Sequence, residues 1–289
     1  MGRALFAGLW LAFTWLGLGN SACAEELQGT LQRIAQTKTI RLGYLKEGIP
    51  FSFAEQAGKP LGYSIDLCNR VVAGIERRLN LSELNIQWIE VTSANRFDKV
   101  IDGTIDLECG TSTNTAGRQK IVDFSLMTWV DGASFLVKAD QSARRLSDLT
   151  GKKIAVMEGT TTVQAVRDAL AKASISAQVI TVKQHLDGLN ALDRGTADAY
   201  ASDRTVLIGL ALAVGGQMPV ALAEEQFSYE PYGLVLRRND ADFKQAVNQV
   251  LAQLYRTSAV IEIYDRWFGK IGRPTGLLVA MYALNGLPE

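Results

Sequence analysis

The stretch Asp106-Leu-Glu-Cys-Gly-Thr-Ser-Thr-Asn-Thr-Ala-Gly-Arg118 joins a short apolar run to a hydroxyl-rich turn and then to an arginine. The apolar run, residues 105–107, predicts a strand, and Arg118 is expected in the first turn of a helix. The first backbone N–H groups of a helix are unpaired and carry partial positive charge. With the Thr111 and Thr113 hydroxyls they predict a cradle for a small carboxylate. The alternative is a capped surface helix with a solvated arginine.

Strand and helix patterns alternate outward from this stretch along the chain. Short apolar runs bounded by turn residues predict strands over residues 39–44, 86–91, 105–107, 152–157, 178–182, 195–200 and 232–237. Apolar residues at helical spacing predict helices over residues 64–79, 93–101, 162–173, 184–193, 242–256 and 259–267. Ser93 or Asn95 is expected to cap the second of these helices.

Two phrases of the sequence are near copies of each other. Asp102-Gly-Thr-Ile-Asp106 and Arg194-Gly-Thr-Ala-Asp198 each combine a helix end, a glycine turn and a strand. Together with the order of elements around them, they predict an α/β protein of two lobes, each a mixed sheet flanked by helices. Two strands, near residues 129–135 and 228–233, are expected to cross between the lobes as a hinge. The expected limits are 25–131 with 232–289 for lobe 1, and 132–231 for lobe 2.

The N-terminus reads as a secretory signal. Arg3 precedes an apolar run, residues 4–18, and Ala22-Cys23-Ala24 offers a cleavage site, so residues 1–24 are expected to be removed. The apolar run is short for a membrane anchor, and Asn20 argues against a lipoprotein signal at Cys23. The exported chain keeps 29 basic residues against 30 acidic ones. This balance indicates neither nucleic acid nor an acidic membrane surface as a partner.

Signal cleavage also changes the cysteine count. Cys68 and Cys109 remain, and an even pair in an oxidising compartment is a disulfide candidate, the alternative being two buried free thiols. Neither cysteine has a histidine or a second cysteine at ligand spacing, so no metal site is expected.

A resemblance to a known family is carried by a set of short motifs in a specific order and spacing. They are Pro50-Phe-Ser-Phe53, Gly62-Tyr-Ser-Ile-Asp66, Val91-Thr-Ser-Ala-Asn-Arg96, Gly103-Thr-Ile-Asp-Leu-Glu-Cys-Gly110, Thr113-Asn114, Arg118-Gln119, Gly159-Thr-Thr161 and Tyr264-Asp-Arg-Trp-Phe-Gly269. Over residues 27–270 the chain resembles the periplasmic solute-binding proteins of amino-acid ABC transporters, and within them the glutamate/aspartate binders. The resemblance implies a two-lobed type II fold, hinge closure on the ligand, a periplasmic location and delivery to an inner-membrane ABC permease. We expect a monomer without a cofactor.

The resemblance also implies roles for individual residues. Arg118, Thr111 and Thr113 would bind the α-carboxylate of an amino acid, and Thr161 would close on it from lobe 2, unless Thr161 only caps a helix. Asp203 follows a strand and would bind the ammonium group, its alternative being the cap of the following helix. The positions that match distal-carboxylate contacts in the glutamate/aspartate binders are Ser93, Arg96 and His185.

The charges of these residues favour an acidic ligand. Arg96 and Arg118 against Asp203 leave one positive charge, which complements the net charge of glutamate or aspartate. A neutral ligand would leave a cation unpaired in a closed cleft, which is costly. One departure concerns the first loop, where the group usually supplies another arginine and this chain has Leu45. Either Lys46 substitutes for this arginine, or the distal contact is weaker and the ligand differs.

Two other classes of function are alternatives to transport. The fold class includes a periplasmic cyclohexadienyl dehydratase, and Glu158 or His185 would be the candidate general acid for such an enzyme. The sequence has no Ser-His-Asp order and no glycine-rich phosphate loop, so we expect no enzyme. A sensory module would need a second membrane span or a signalling domain, and neither is expected here.

Overall fold

The computed structural model describes Gly2 and residues 27–55 and 58–288. The predicted signal peptide therefore lies, apart from Gly2, outside the described residues. Within the described ranges, no helix combines the length and the apolar character needed to cross a membrane.

The chain alternates between strands and helices, as its periodicity predicts. The strands are β1 (Thr39–Leu45), β2 (Glu47–Gly48), β3 (Ser52–Ala54), β4 (Pro60–Leu61), β5 (Asn85–Val91), β6 (Leu107–Glu108), β7 (Asp123–Asp131), β8 (Ala133–Lys138), β9 (Lys153–Met157), β10 (Gln178–Val182), β11 (Ala199–Asp203), β12 (Val220–Leu222) and β13 (Glu230–Leu236). The helices are α1 (Gly29–Thr37), α2 (Tyr63–Arg78), α3 (Arg96–Ile101), α4 (Thr162–Lys172), α5 (His185–Asp193), α6 (Arg204–Val214), α7 (Ala241–Arg256), α8 (Val260–Phe268) and α9 (Gly276–Asn285).

The described strands form two five-stranded sheets with the same internal pattern. Sheet A has the order β5-β1-β6-β13-β7, and sheet B has the order β10-β9-β11-β8-β12. In each sheet, the first three strands run parallel to one another. The fourth strand runs antiparallel to the third, and the fifth runs antiparallel to the fourth. The short strands β2, β3 and β4 form a separate antiparallel sheet. We call sheet A with its helices lobe 1, and sheet B with its helices lobe 2. The predicted two-lobed α/β fold with mixed sheets is confirmed.

The repeated sequence phrase has the same structural role in both lobes. Gly103 and Gly195 each have a positive φ, of 76° and 68°, and turn the chain from a helix toward a central strand. The aspartate that ends each phrase then accepts a hydrogen bond from the neighbouring parallel strand: Asp106 from the backbone N of Arg41, and Asp198 from that of Lys153, both at 2.8 Å. The strand that follows starts only after this aspartate. The predicted strands 105–107 and 195–200 were therefore placed too early.

The chain crosses between the sheets at two adjacent segments. Strand β7 of sheet A runs through Gly132 directly into β8 of sheet B, and the chain returns where β13 begins. The segments touch, because the backbone N of Ala133 donates to the Ser228 hydroxyl at 2.9 Å and Glu230 pairs with Asp131. The predicted pair of crossing strands is confirmed. The exact lobe limits at residues 132 and 232 stay our proposal.

The two predicted C-terminal helices return to lobe 1, where α7 packs against α2 and β7, and α8 packs against α2. Beside them, Phe51 makes edge-to-face contacts with Trp129, Tyr63 and Tyr232, with ring centroids 5.1–6.0 Å apart. This aromatic cluster holds the start of the crossing segments on a rigid core.

The predicted disulfide is present. Cys68 of α2 and Cys109, which follows β6, are joined with a Cα–Cα distance of 6.2 Å and a sequence separation of 41 residues. Both cysteines are fully buried. The bond ties the loop that contains Thr111 and Thr113 to helix α2 of lobe 1.

Removal of this disulfide should lower stability substantially. For a closed loop of this length, chain entropy predicts a loss of about 3–4 kcal/mol in the free energy of unfolding. Urea denaturation of a Cys68→Ala/Cys109→Ala double variant, against the exported wild-type protein, measures the loss. Alkylation of two thiols in the unreduced, exported wild type would contradict the bond.

Candidate functional site

All the residues predicted to contact a ligand line one cavity between the lobes. Lobe 1 contributes Leu45, Ser93, Arg96, Thr111, Thr113 and Arg118, and lobe 2 contributes Met157, Thr160, Thr161, His185, Ser202, Asp203 and Val206. The cavity measures about 20 Å³, which is about the space that one water molecule needs. The lobes are therefore closed on each other, and an amino acid can enter only when they separate.

Two arginines of lobe 1 lie side by side on an aromatic ring. The guanidinium carbons of Arg96 and Arg118 are 4.5 Å and 5.0 Å from the centroid of Phe97. Both guanidiniums donate to the Gly159 carbonyl of lobe 2, at 3.2 Å and 3.3 Å. The two cations of lobe 1 thus contact lobe 2 through the same carbonyl oxygen. Sequence reasoning missed Phe97, although its place directly after Arg96 in a short helix was a signal.

Arg96 is not the solvated arginine that its position on a helix suggested. It is 4% exposed, and its Nε donates to the Ser112 hydroxyl at 2.8 Å, while Nη1 donates to the Ser93 carbonyl. Burial lowers the pKa of Arg96 to about 10, so it stays protonated at neutral pH. Neither Ser93 nor Asn95 caps the helix with its side chain, because Ser93 donates to the Glu158 carbonyl and Asn95 accepts from Thr92.

Arg118 does not lie in an α-helix, contrary to the prediction. Residues Arg118–Lys120 form a single 3-10 turn, which is too short for a helix dipole to contribute. Its Nη1 instead donates to the Thr113 carbonyl at 2.9 Å, which fixes the guanidinium beside the hydroxyl-rich loop. The predicted carboxylate site therefore depends on the Arg118 guanidinium and the hydroxyl-rich loop, and not on a helix N-terminus.

On lobe 2, Asp203 ends β11 and faces the cavity. It occupies the position before α6 without capping that helix. Its carboxylate accepts instead from Thr162, at 3.3 Å, and from the Tyr232 hydroxyl of sheet A. Thr161 likewise does not cap α4 with its side chain. Both alternatives in which these residues act only as helix caps are excluded.

His185 is the first residue of α5 and is 5% exposed. Its Nδ1 lies 2.6 Å from the Tyr200 hydroxyl, which leaves the other ring nitrogen for a ligand. Burial lowers the pKa of His185 to about 4, so the ring is neutral at pH 7. Close by, Glu47 of lobe 1 accepts from the Leu186 backbone N of α5 at 3.3 Å and adds a contact between the lobes.

Two buried carboxylates behind the cavity were missed by sequence reasoning. Glu108 is fully buried beside Arg96, and burial raises its pKa while Arg96 opposes the rise. Glu230, 2% exposed, accepts from the Thr113 and Thr161 hydroxyls at 2.7 Å and 2.6 Å. The charge balance of one net positive charge, inferred from Arg96, Arg118 and Asp203 alone, is therefore incomplete. The motif around Glu108 was the one signal that could have revealed it.

The carboxylates at the hinge influence one another. Burial, followed by the charges of Glu230 and Asp131, raises the pKa of Asp203 to about 8. Burial likewise raises the pKa of Asp131 to about 6, although its bonds from the backbone of Gly132 and Thr205 oppose the rise. Arg118 is the nearby cation, since Glu230 and Asp203 are its main charge partners.

Acid should therefore favour closure of the lobes. When they separate, water returns to Asp203 and its pKa falls toward the usual 3.8. Closure then takes up a proton. The protonation of Asp203 therefore makes its full contribution to the free energy of closure below about pH 4. This contribution is lost as the pH rises through about 8. Small-angle scattering of the ligand-free protein should give a smaller radius of gyration at about pH 5.5 than at about pH 8.5. Asp203→Asn should remove most of this difference, whereas expansion on acidification would contradict the assignment.

In the structure, too, the first loop, which lies within the described residues 27–55, contributes no arginine to the cavity. Leu45 lines the cavity, together with the apolar side chains of Met157 and Val206. Lys46 is exposed and lines a neighbouring crevice with Glu47 and Lys183. Lys46 therefore does not take the place of the missing arginine at the cavity wall.

The candidate general acids of the alternative enzyme are poorly suited to that role. His185, with a pKa of about 4, is neutral at pH 7 and lacks the acidic imidazolium proton that a general acid donates. Glu158 does not line the cavity, and only its backbone carbonyl reaches Ser93. Across residues 27–55 and 58–288, no group of three or more His, Cys, Asp or Glu side chains is placed to hold a metal ion.

Known proteins with similar sequences and structures agree with this architecture. Residues 40–270 match the family described as bacterial extracellular solute-binding proteins, family 3. The chain is 36% identical to an L-glutamate/L-aspartate-binding protein of Pseudomonas aeruginosa over 261 residues, covering 90% of this chain and 86% of that protein. It is 30% identical to a glutamate/aspartate import solute-binding protein of Escherichia coli K12, covering 87% and 84%.

Solved structures extend the likeness to the whole fold. An ancestral amino acid-binding protein, described as a precursor of cyclohexadienyl dehydratase, superposes with a TM-score of 0.73 at 27% identity. The alignment covers 83% of this chain and all of that one. An ancestral arginine-binding protein bound to arginine gives a TM-score of 0.71, also at 27% identity, over 80% and 99% of the two chains. The chain therefore belongs to the bacterial extracellular solute-binding proteins of family 3.

Proposed function

We propose that this protein binds glutamate or aspartate outside the cytoplasm by closing its lobes, and delivers it to an ABC permease of the inner membrane. One observation carries the proposal: Arg96 and Arg118 of lobe 1 meet Asp203 of lobe 2 around one cavity. A zwitterion with a second carboxylate offers a charge of the right sign to each group. It also touches both lobes, so its binding favours the closed arrangement.

Each ligand group has a proposed partner. Arg118 and the Thr111–Thr113 loop bind the α-carboxylate, with Thr161 closing from lobe 2, and Asp203 binds the ammonium. Arg96 binds the distal carboxylate as a cation, while Ser93 and neutral His185 add hydrogen bonds. The names of the Pseudomonas and Escherichia relatives support the acidic ligand. The family also supports export, for which we retain cleavage after residue 24 and a periplasmic location.

A receptor for glutamine or asparagine is the second candidate. It is favoured by Leu45, which puts an apolar side chain at the cavity wall, and by the buried carboxylates Glu108 and Glu230, which reduce the positive charge. Against it, Arg96 would face an uncharged amide in a closed site, which leaves a buried cation without its partner.

A thermal-shift screen of the exported protein against the twenty amino acids separates these candidates. Ligands that bind only the folded state raise its Tm, and a ligand at about 1,000 times its Kd stabilises by about 4 kcal/mol. We expect glutamate and aspartate to give the largest shifts. Larger shifts with glutamine or asparagine would favour the second candidate, and turnover of prephenate or arogenate would contradict a receptor.

A further inference from the structure

Glu230 joins the two lobes through a single carboxylate oxygen. It is the first residue of β13 and lies where the chain crosses back into sheet A. Its Oε2 accepts from the Thr113 hydroxyl of lobe 1 at 2.7 Å and from the Thr161 hydroxyl of lobe 2 at 2.6 Å. Its Oε1 accepts from the Ser228 hydroxyl at 2.7 Å. Three hydroxyl donors thus surround one buried carboxyl group.

These bonds fix what the two threonines can offer to a ligand. A hydroxyl has one proton, and both side-chain oxygens of Glu230 act as acceptors here. Because Thr113 and Thr161 both give their protons to Glu230, only lone pairs remain for the cavity. Their oxygens are 3.2 Å apart, close enough for either hydroxyl to donate to the other, but with both protons on Glu230 two acceptors face each other at close range. A cation between them would be stabilised, whereas a carboxylate would find no hydroxyl donor there.

We propose that Glu230 is a positioning residue that turns the Thr113 and Thr161 hydroxyls into acceptors for the ligand's ammonium group. The inference rests on the proposed function, because it requires an α-amino acid in the cavity. It also revises that function in one respect: the Thr113 and Thr161 hydroxyls, assigned above to the α-carboxylate, serve the ammonium group instead, and the Arg118 guanidinium remains the carboxylate donor. Since one threonine comes from each lobe, the acceptor pair is complete only when the lobes are closed.

The test compares L-glutamate with glutarate, which has both carboxylates and no amino group. Titration calorimetry of the wild type should show a clear preference for L-glutamate. In Glu230→Gln, one acceptor oxygen becomes an NH₂ donor; where this NH₂ faces the threonines, it turns at least one of their protons back toward the cavity. Thr161→Val, which removes one of the two acceptors outright, serves as the companion variant. We expect the L-glutamate affinity to fall about ten-fold or more, as when a hydrogen bond to a charged group is lost, with glutarate unchanged or improved. Glu224→Gln, an exposed site with the same charge change, should leave both affinities unchanged.

A double-mutant cycle separates hydroxyl orientation from the change in charge. In a Thr113→Val/Thr161→Val background, Glu230→Gln should have little further effect on the ratio of the two affinities. A full effect there would mean that Glu230 acts through its charge alone, and would overturn the proposal. An equal loss for both ligands in Glu230→Gln would show a merely structural role, with the same consequence.

The remaining outcomes are also informative. If Glu230→Gln does not fold, Thr161→Val carries the test, because loss of the acceptor should weaken L-glutamate and spare glutarate. Equal effects on the two ligands would then overturn the inference. If the wild type binds another amino acid, that ligand and its des-amino analogue replace the pair. A wild type that binds no amino acid would refute the proposed function and the inference with it, whereas normal binding with an unchanged ratio would refute the inference alone.

Discussion

Arg118→Ala should abolish measurable binding of every amino acid. Arg118 presents a forked cation at the cavity, held by the Thr113 carbonyl at 2.9 Å and stacked on Phe97. The α-carboxylate is common to all amino acids, so no side chain compensates for its lost partner. Removing one member of a buried charge pair typically costs about 2–5 kcal/mol, or about two to four orders of magnitude in affinity. Titration calorimetry with L-glutamate, L-aspartate and L-glutamine measures the loss.

Two controls define the cause of that loss. Arg118→Lys keeps the charge without the planar fork and should retain weak binding. Arg194→Ala removes the same charge from an exposed position after α5 and should leave binding intact. If Arg118→Ala bound L-glutamate as tightly as the wild type, the α-carboxylate would have to bind elsewhere.

Arg96→Met should weaken the binding of L-glutamate far more than that of L-glutamine. Methionine replaces the apolar stem of the arginine but supplies no charge for a distal carboxylate. We expect a loss of about two orders of magnitude or more for L-glutamate, as for a broken buried charge pair. L-Glutamine, whose amide never paired with the cation, should lose much less. Equal losses for the two ligands would show that Arg96 does not contact the ligand side chain.

The neighbouring Glu108 supplies a matched control for Arg96→Met. Without Arg96, this fully buried carboxylate loses its main cation, and stability should fall by about 3–5 kcal/mol. Adding Glu108→Gln should restore much of that stability because it removes the uncompensated charge. It should not restore the preference for L-glutamate. A double variant that recovers both would mean that Arg96 acts only through the fold.

Much of the fold follows from local patterns in the sequence. The helices α2, α4 and α7 begin and end within one residue of the limits that their apolar spacing predicts. The repeated Gly-Thr phrase correctly indicated two similar units, because each copy ends in an aspartate that binds the neighbouring strand. The predicted strand limits next to these aspartates were wrong. Periodicity does not show that an aspartate side chain, and not a backbone carbonyl, accepts the hydrogen bond from the neighbouring strand.

The candidate site was predictable in its members but not in its electrostatics. The resemblance placed Arg118 and Asp203 in one cleft, and both line the cavity. Glu230 and Glu108 were missed because a carboxylate in or beside a strand is usually solvated. Only the approach of Thr113 and Thr161 from different lobes makes Glu230 part of the site. Contacts between segments far apart in sequence leave no periodic signal.

A crystal structure of the protein with L-glutamate tests the central claim most directly. We predict that the α-carboxylate lies within hydrogen-bond distance of Arg118 and that the ammonium contacts Asp203, with both lobes closed around the ligand. A ligand bound to one lobe only, or placed outside the cavity between Arg118 and Asp203, would contradict it.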